Sequence, residues 1–216
     1  GEYAEPIKKL LDKHVVGVAV KEPQGVYEVG KMGLAEHPEK WSKEKIRNET
    51  DIIKTRITHS IWQDLRDDPY AQEAFSLLLK EVIAQAEQLF DYELKQYWLF
   101  HEFEQQVKAR RLNDIPDVFG GNFHAQAYYG VFKQTLPECF AGSVETEKWV
   151  KLAFEIDSDV QQSVTEHSIN LHNLETDIRK KLLPKLFAVC KVERGGMEQA
   201  KKMVESVVQI VRVGVR

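Results

Sequence analysis

Residues 68–90 read DPYAQEAFSLLLKEVIAQAEQLF, and this stretch decides the fold class. Asp68 followed by Pro69 is typical of a helix start, because an aspartate caps free backbone N–H groups and proline fits the first helical turn. The apolar side chains behind this start recur at the spacing of one helix face, at Phe75, Leu78, Leu79, Val82, Ile83, Ala86, Leu89 and Phe90. The stretch therefore predicts a long amphipathic helix.

The same periodicity extends from Ser42 almost to the last residue. Ser42 is a predicted N-cap, and Asp91 is a predicted cap for a helix that ends near residues 110–111. Pro184 is expected to kink or end a later helix, because proline lacks the backbone N–H group. The sequence predicts a mainly α fold, a bundle-like domain of six or seven helices over residues 42–216.

Residues 1–41 have a different pattern. A short helix is predicted at residues 3–14, and β-branched segments at residues 15–20 and 26–29 flank a turn that contains proline and glycine. Such segments are typical of a hairpin or of two edge strands. We expect this small β-containing N-terminal segment to form one continuous fold with the helical domain.

The composition is that of a globular protein, with 216 residues, 43% hydrophobic and 30% charged. No apolar run approaches the roughly 20 residues that span a bilayer, so no membrane partner is expected. Cys139 and Cys190 are too few for a disulfide framework or a zinc site, and the polar start is no signal peptide. We therefore expect a cytoplasmic protein, and the start at Gly1 without methionine suits an excised fragment.

Positive charge is concentrated near the C-terminus. Residues 177–216 carry ten Lys and Arg against four Asp and Glu, whereas residues 1–176 carry twenty against thirty. Phosphate contacts by such a cluster would release counterions from nucleic acid. The alternative of a solvated helix face with ordinary cations near a C-terminus is favoured, because the aromatic residues typical of single-strand binders are absent. The candidate contacts for DNA or a partner are Arg179, Lys180, Lys181 and Lys185, extended by Arg110 and Arg111.

Small and aromatic residues alternate in residues 120–133, GGNFHAQAYYGVFK. Small residues permit close helix approach, and aromatic rings fill the contact. This pattern fits a core helix or a partner-facing surface. Tyr128 and Tyr129 are therefore further candidate partner contacts.

Three patterns approach catalytic motifs without completing them. Residues 25–31 match GxxxxGK, but Met32 replaces the Ser or Thr that would hold magnesium. Asp68, Glu93 and Lys95 follow the order of a metal-dependent nuclease, but they lie beside predicted helix ends, where charges complement the helix dipole. No HExxH occurs among the seven histidines. The sequence predicts no catalytic, cofactor-binding or metal-binding residue.

Several segments together resemble one family. They are residues 68–72 (DPYAQ), 89–97, 124–132 (HAQAYYGVF), 169–175, 177–184 and 210–214 (IVRVG). These segments are similar to the C-terminal helical region of the R subunit of type I restriction–modification enzymes. The resemblance is clearest over residues 45–214.

The resemblance implies a non-catalytic assembly role. In this family a nuclease domain and two helicase-like motor domains precede the helical region, so ATP and magnesium are expected there and no cofactor in this chain. The helical region is implied to dock the ATP-dependent DNA translocase and endonuclease on the methyltransferase (M) and specificity (S) subunits, with duplex DNA held nearby. None of the family's catalytic motifs maps onto this sequence.

Two other classes of protein stay open. The first is a small helical metal-dependent hydrolase or nuclease that uses Asp68, Glu93 and Lys95, or histidines such as His167, and metal analysis of the purified protein would reveal it. The second is a free-standing helical adaptor. A long upstream reading frame with ATPase motifs would exclude the adaptor.

Overall fold

Seven α-helices occupy the residues that the computed structural model describes, which are 37–141, 146–193 and 195–214. No strand occurs within these ranges. The helices are α1 (Lys43–His59), α2 (Pro69–Glu87), α3 (Glu93–Lys108), α4 (Phe123–Thr135), α5 (Glu147–Glu166), α6 (Leu171–Val192) and α7 (Met197–Gly214). The predicted mainly α fold is confirmed, while the predicted N-terminal β segments and the GxxxxGK pattern lie outside the described residues.

Polar side chains cap the helix starts where the sequence places them. Ser42 Oγ accepts a hydrogen bond from the N–H of Lys45 at 3.2 Å, and Asp68 Oδ1 accepts one from the N–H of Ala71 at 3.1 Å. These bonds satisfy N–H groups that have no partner within the first helical turn. The predicted caps at Ser42 and Asp68 are confirmed.

The structure contradicts one prediction about a helix start and excludes one of the two predicted effects of Pro184. Asp91 is not a cap, because α3 begins at Glu93 with Tyr92 in the N-cap position and no side-chain bond there. Pro184 does not end α6, which continues from Leu171 to Val192. Leu182 and Leu186 are fully buried on either side of Pro184, and we attribute the continuity of the helix to this packing, which offsets the missing N–H group.

The described chain divides into two compact units, and α2 passes from one to the other. The described part of unit 1 comprises residues 37–60 and 75–109. Within it Arg47 contacts Glu93 at 2.7 Å, and Arg56 donates to both carboxylate oxygens of Glu104 at 2.7 and 3.1 Å. These two pairs join α1 to α3.

Unit 2 comprises residues 61–74 and the described residues from 110 onward. Its core lies around α4, where Gly130 permits a close approach: a Cβ added at Gly130 would lie 2.6 Å from the Cβ of Tyr70. Phe132 and Trp149 pack with their ring centroids 5.3 Å apart and join α4 to α5. The small residues of α4 therefore serve internal packing.

Candidate functional site

The predicted basic contacts on α6 are largely engaged within unit 2. Arg179 donates to both carboxylate oxygens of Glu205 on α7, at 2.7 and 3.1 Å, and lies 3.5 Å from Glu175. Arg212 of α7 also donates to Glu175, with its Nη2 at 2.8 Å. We call these four residues the α6–α7 ion-pair network. Hydrogen bonding to Arg179 lowers the pKa of Glu205, and the bond to Glu205 raises the pKa of Arg179.

Two further cations of α6 are directed at α5. Lys185 Nζ lies 2.6 Å from Asp159, and Lys181 Nζ donates to Ser163 Oγ at 3.1 Å. Lys181 also lies 2.9 Å from Asp177 of its own helix. These bonds give Arg179, Lys181 and Lys185 carboxylate or hydroxyl partners within the chain, and their contact with phosphates stays a prediction.

Lys180 is the member of the predicted cluster that stays exposed, without an ion pair to any described residue. Reversing the charge of Arg179 to Glu is expected to lower the free energy of unfolding by about 1 kcal/mol, because it removes exposed ion pairs and places a third carboxylate beside Glu175 and Glu205. The Lys180→Glu variant is the matched control and is expected to be neutral. Urea denaturation at low salt checks both, and equal stabilities of the two variants would contradict the expectation.

Arg110 is a structural residue and not a surface contact. Its side chain is 10% exposed. The Nη2 atom donates a hydrogen bond to the carbonyl of Asp64 at 3.0 Å and lies 2.8 Å from Asp67 Oδ1. The guanidinium carbon lies 4.4 Å from the ring centroid of Phe123, and Gln126 Nε2 donates to the carbonyl of Arg110 at 2.7 Å. The structure therefore places Arg110, a predicted partner contact, among internal partners. Arg111, the next residue, is exposed.

Tyr128 and Tyr129 are each 1% exposed and belong to the core of unit 2. Burial and the nearby Asp157 raise the pKa of Tyr128, and burial together with Asp114 raises the pKa of Tyr129 to about 12. Because neither side chain reaches the surface, the prediction that they contact a partner is wrong. The core interpretation of this helix is confirmed.

A cavity of about 360 Å³ opens between α4, α5 and α7 of unit 2. It is lined by His124, Tyr128, Asp157, Val160, Gln161, Val164, Thr165, Val211 and Gly214. We call it the Asp157 cavity, because Asp157 is its buried charged residue, with 5% of its surface exposed.

Asp157 supports the start of α4. Its Oδ2 accepts hydrogen bonds from Asn122 Nδ2 and Gln161 Nε2, both at 2.9 Å. Asn122 in turn accepts from the N–H of Ala125 at 3.1 Å, so the carboxylate orients the amide that caps α4. The sequence analysis assigned no role to Asp157. The missed signal is that Asp157 lies four residues after Ala153 and three before Val160, on the apolar stripe of α5.

The residues of the nuclease-like pattern have ordinary internal partners. Asp68 is 1% exposed, and burial raises its pKa to about 6 against the opposing effects of the Ala71 N–H and Arg110. Hydrogen bonds from its own N–H group and from Arg47 lower the pKa of Glu93. Lys95 Nζ lies 4.4 Å from the ring centroid of Tyr92.

His167 lies beside two carboxylates, of Glu166 and Asp177. One ligand atom from each of these three residues lies within 4.8 Å of the others. The ammonium group of Lys181 already contacts this group, at 2.9 Å from Asp177 and 3.4 Å from Glu166. The ammonium group of Lys181 therefore supplies the positive charge that balances these two carboxylates.

Each unit exposes a bulky apolar side chain at a connection between helices. Phe90, between α2 and α3, is 73% exposed, and Ile169, between α5 and α6, is 98% exposed. Gln96 Nε2 donates to the carbonyls of Ala86 and Leu89, both at 2.9 Å, and so fixes the first connection.

The second connection is fixed in a similar way. Asn170 Oδ1 accepts from the N–H groups of His172 and Asn173, at 3.0 and 3.2 Å, and its own N–H donates to the carbonyl of His167. Hydrogen bonds thus define the backbone on both sides of Ile169. The sequence analysis placed Phe90 on the apolar stripe of a helix, whereas that helix ends at Glu87 and Phe90 is exposed. It used Ile169 only for the family resemblance.

Comparison with protein-family models, with curated proteins and with solved structures found no match for the chain. None of the described helices combines the length and the apolar character that a membrane span requires.

Proposed function

We propose that this chain is a non-catalytic docking module of the R subunit of a type I restriction–modification enzyme. In this proposal it joins the ATP-dependent translocase and endonuclease to the methyltransferase–specificity core in the cytoplasm. The starting point is the resemblance carried by residues 68–72, 89–97, 124–132 and 169–184.

The observation that carries the proposal is the exposure of Phe90 and Ile169 on hydrogen-bonded connections. Both residues belong to segments that carry the resemblance. Many other residues of those segments have an internal role: Asp68 caps α2, Gln126 binds the carbonyl of Arg110, and Tyr128 fills the core. Phe90 and Ile169 stay largely exposed, and an apolar side chain on an ordered backbone suits a partner contact because little entropy is lost on binding.

The charges favour a protein partner over duplex DNA. Arg110, Arg179, Lys181 and Lys185 are engaged in ion pairs within unit 2. A cation that already neutralises a carboxylate releases fewer counterions when it meets a phosphate. We therefore propose the methyltransferase and specificity subunits as the partners, and place duplex DNA second.

Co-elution with a cognate methyltransferase–specificity complex on a sizing column tests the proposal. We expect the chain to co-elute, and the Phe90→Ser and Ile169→Ser variants to bind about thirtyfold more weakly, because truncation of an apolar anchor typically costs about 2 kcal/mol. Circular dichroism confirms that each variant is folded.

Val118→Ser is the matched control, since Val118 is 59% exposed and lies outside the segments that carry the resemblance. It is expected to bind like the unaltered chain. Equal binding by all three variants would rule out each of the two connections as a docking contact. No co-elution of the folded chain, repeated with the full-length R subunit, would rule out the docking function.

A further inference from the structure

The Asp157 cavity contains a buried negative charge without a positive partner among the described residues. Asp157 is 5% exposed, and no lysine, arginine or histidine of the described chain forms an ion pair with it. Both hydrogen bonds that it accepts end on Oδ2, from Asn122 and Gln161. Oδ1 accepts none from the described residues. A buried carboxylate without a cation is costly, and a cationic ligand would offset that cost.

The other walls of the cavity suit a long aliphatic stem. Val160, Val164 and Val211 provide apolar surface, and Tyr128 and His124 provide aromatic rings. Arginine and lysine place methylene groups along apolar surface while their charged head contacts a polar group, and a guanidinium also stacks on aromatic rings. A volume of about 360 Å³ lies at the low end for ligand pockets and suits a single long side chain.

Gly214 contributes to the open side of the cavity. A Cβ added at this position would lie 3.2 Å from Cε1 of His124, which is tighter than an ordinary contact. His124, Gln161 and Thr165 are exposed, so the cavity communicates with solvent along its polar edge. A larger side chain at residue 214 is therefore expected to narrow the entrance without touching Asp157.

From this geometry we propose that the Asp157 cavity receives a basic side chain, arginine or lysine, of the docking partner. The inference rests on the proposed function, because it specifies the chemistry that the methyltransferase–specificity core presents to this chain. The carboxylate recognises the cationic head, and the valines contact its stem.

Titration with N-acetyl-argininamide and N-acetyl-lysinamide tests the charge recognition without any partner protein. The neutral isostere N-acetyl-citrullinamide is the matched ligand control. We expect saturable shifts of the backbone amide NMR signals of His124, Gln161, Thr165 and Gly214 with the cationic ligands. The citrulline analogue is expected to bind about tenfold more weakly or not at all.

Two variants separate recognition from a general loss of structure. Asp157→Asn keeps an oxygen that accepts from Asn122 or Gln161 and removes the charge, so it is expected to weaken binding of the cationic ligands by about tenfold or more. Gly214→Val is expected to weaken binding by obstructing the entrance, with unchanged circular dichroism. Equal binding of the arginine and citrulline analogues, or full binding by folded Asp157→Asn, would overturn the inference.

The same variants in the co-elution experiment connect the cavity to the partner. If the unaltered chain co-elutes and both folded variants co-elute equally well, the cavity does not hold the partner's side chain and the docking function stands. If the unaltered chain fails to co-elute, the proposed function fails, and with it the partner assigned to the cavity. Weakened co-elution of both variants supports the inference.

Discussion

Replacing Arg110 with alanine is expected to lower the free energy of unfolding by about 3 kcal/mol, because it breaks a largely buried ion pair. The side chain is 10% exposed and contacts the carbonyl of Asp64, the carboxylate of Asp67 and the ring of Phe123. Without the guanidinium, Asp67 loses the cation beside it, and the buried carboxylate of Asp68 loses a nearby positive charge. Urea denaturation at neutral pH measures the loss.

Arg111→Ala is the matched control for this expectation. Arg111 is the neighbouring residue and is exposed, so its replacement should change the free energy of unfolding by less than about 0.5 kcal/mol. If Arg110→Ala is no more destabilising than Arg111→Ala, the guanidinium does not have the structural role assigned to it. Arg110 would then return to the set of candidate surface contacts.

The Asp68→Asn variant is expected to become more stable relative to the unaltered chain as pH rises from about 4 to about 7, with a change of roughly 3 kcal/mol. Asparagine keeps an oxygen that accepts from the N–H of Ala71, and it carries no charge at any pH. Urea denaturation of both proteins across this range gives the difference directly.

The sign follows from the raised pKa of Asp68. Burial raises this pKa from its ordinary value of 3.8 to about 6 in the folded state. Below both values the carboxyl group is protonated in the folded and unfolded states and its burial costs little. Between them the folded state holds the proton more tightly, so stability falls as pH rises. Above about pH 6 the buried carboxylate exerts its full destabilising effect.

Asp177 provides a control, because its effect on stability is expected to change with pH in the opposite direction. Its pKa is lowered by hydrogen bonds from Lys181 and Ser163, so its contribution to stability is present above its unfolded pKa and is lost as pH falls. The Asp177→Asn variant should therefore lose stability relative to the unaltered chain as pH rises. A stability difference between Asp68→Asn and the unaltered chain that does not vary with pH would contradict the interpretation of Asp68.

Local signals in the sequence predicted the helices well. The Asp68–Pro69 start, the Ser42 cap and the apolar stripe from Phe75 to Ala86 depend on interactions within a few positions of the chain. The predicted continuation of that stripe to Phe90 is wrong, because α2 ends at Glu87. The continuous α6 shows the limit of such reasoning, because burial of Leu182 and Leu186 outweighs the effect of Pro184.

The candidate site was predicted less well, because its features depend on contacts between distant segments. In the sequence, the run of cations on α6 indicates a basic surface. In the structure, Glu205 and Asp159 from other helices lie beside Arg179 and Lys185. Tyr128 and Tyr129 belong to a pattern that favours a core helix but also fits an interface, and burial distinguishes the two. Asp157 breaks an apolar stripe, which suggests a buried polar role but does not reveal a cavity.

The pairing of cations within unit 2 also determines how the chain meets other molecules at long range. The chain has a formal net charge of −4 at pH 7, and the carboxylates of Glu205, Glu166 and Asp159 on neighbouring helices pair with Arg179, Lys181 and Lys185. A chain with net negative charge and paired cations does not accelerate diffusional encounter with a polyanion. It does attract a protein surface that is rich in basic side chains. The rate of association with a basic protein surface should therefore fall as ionic strength rises, because mobile ions screen this attraction.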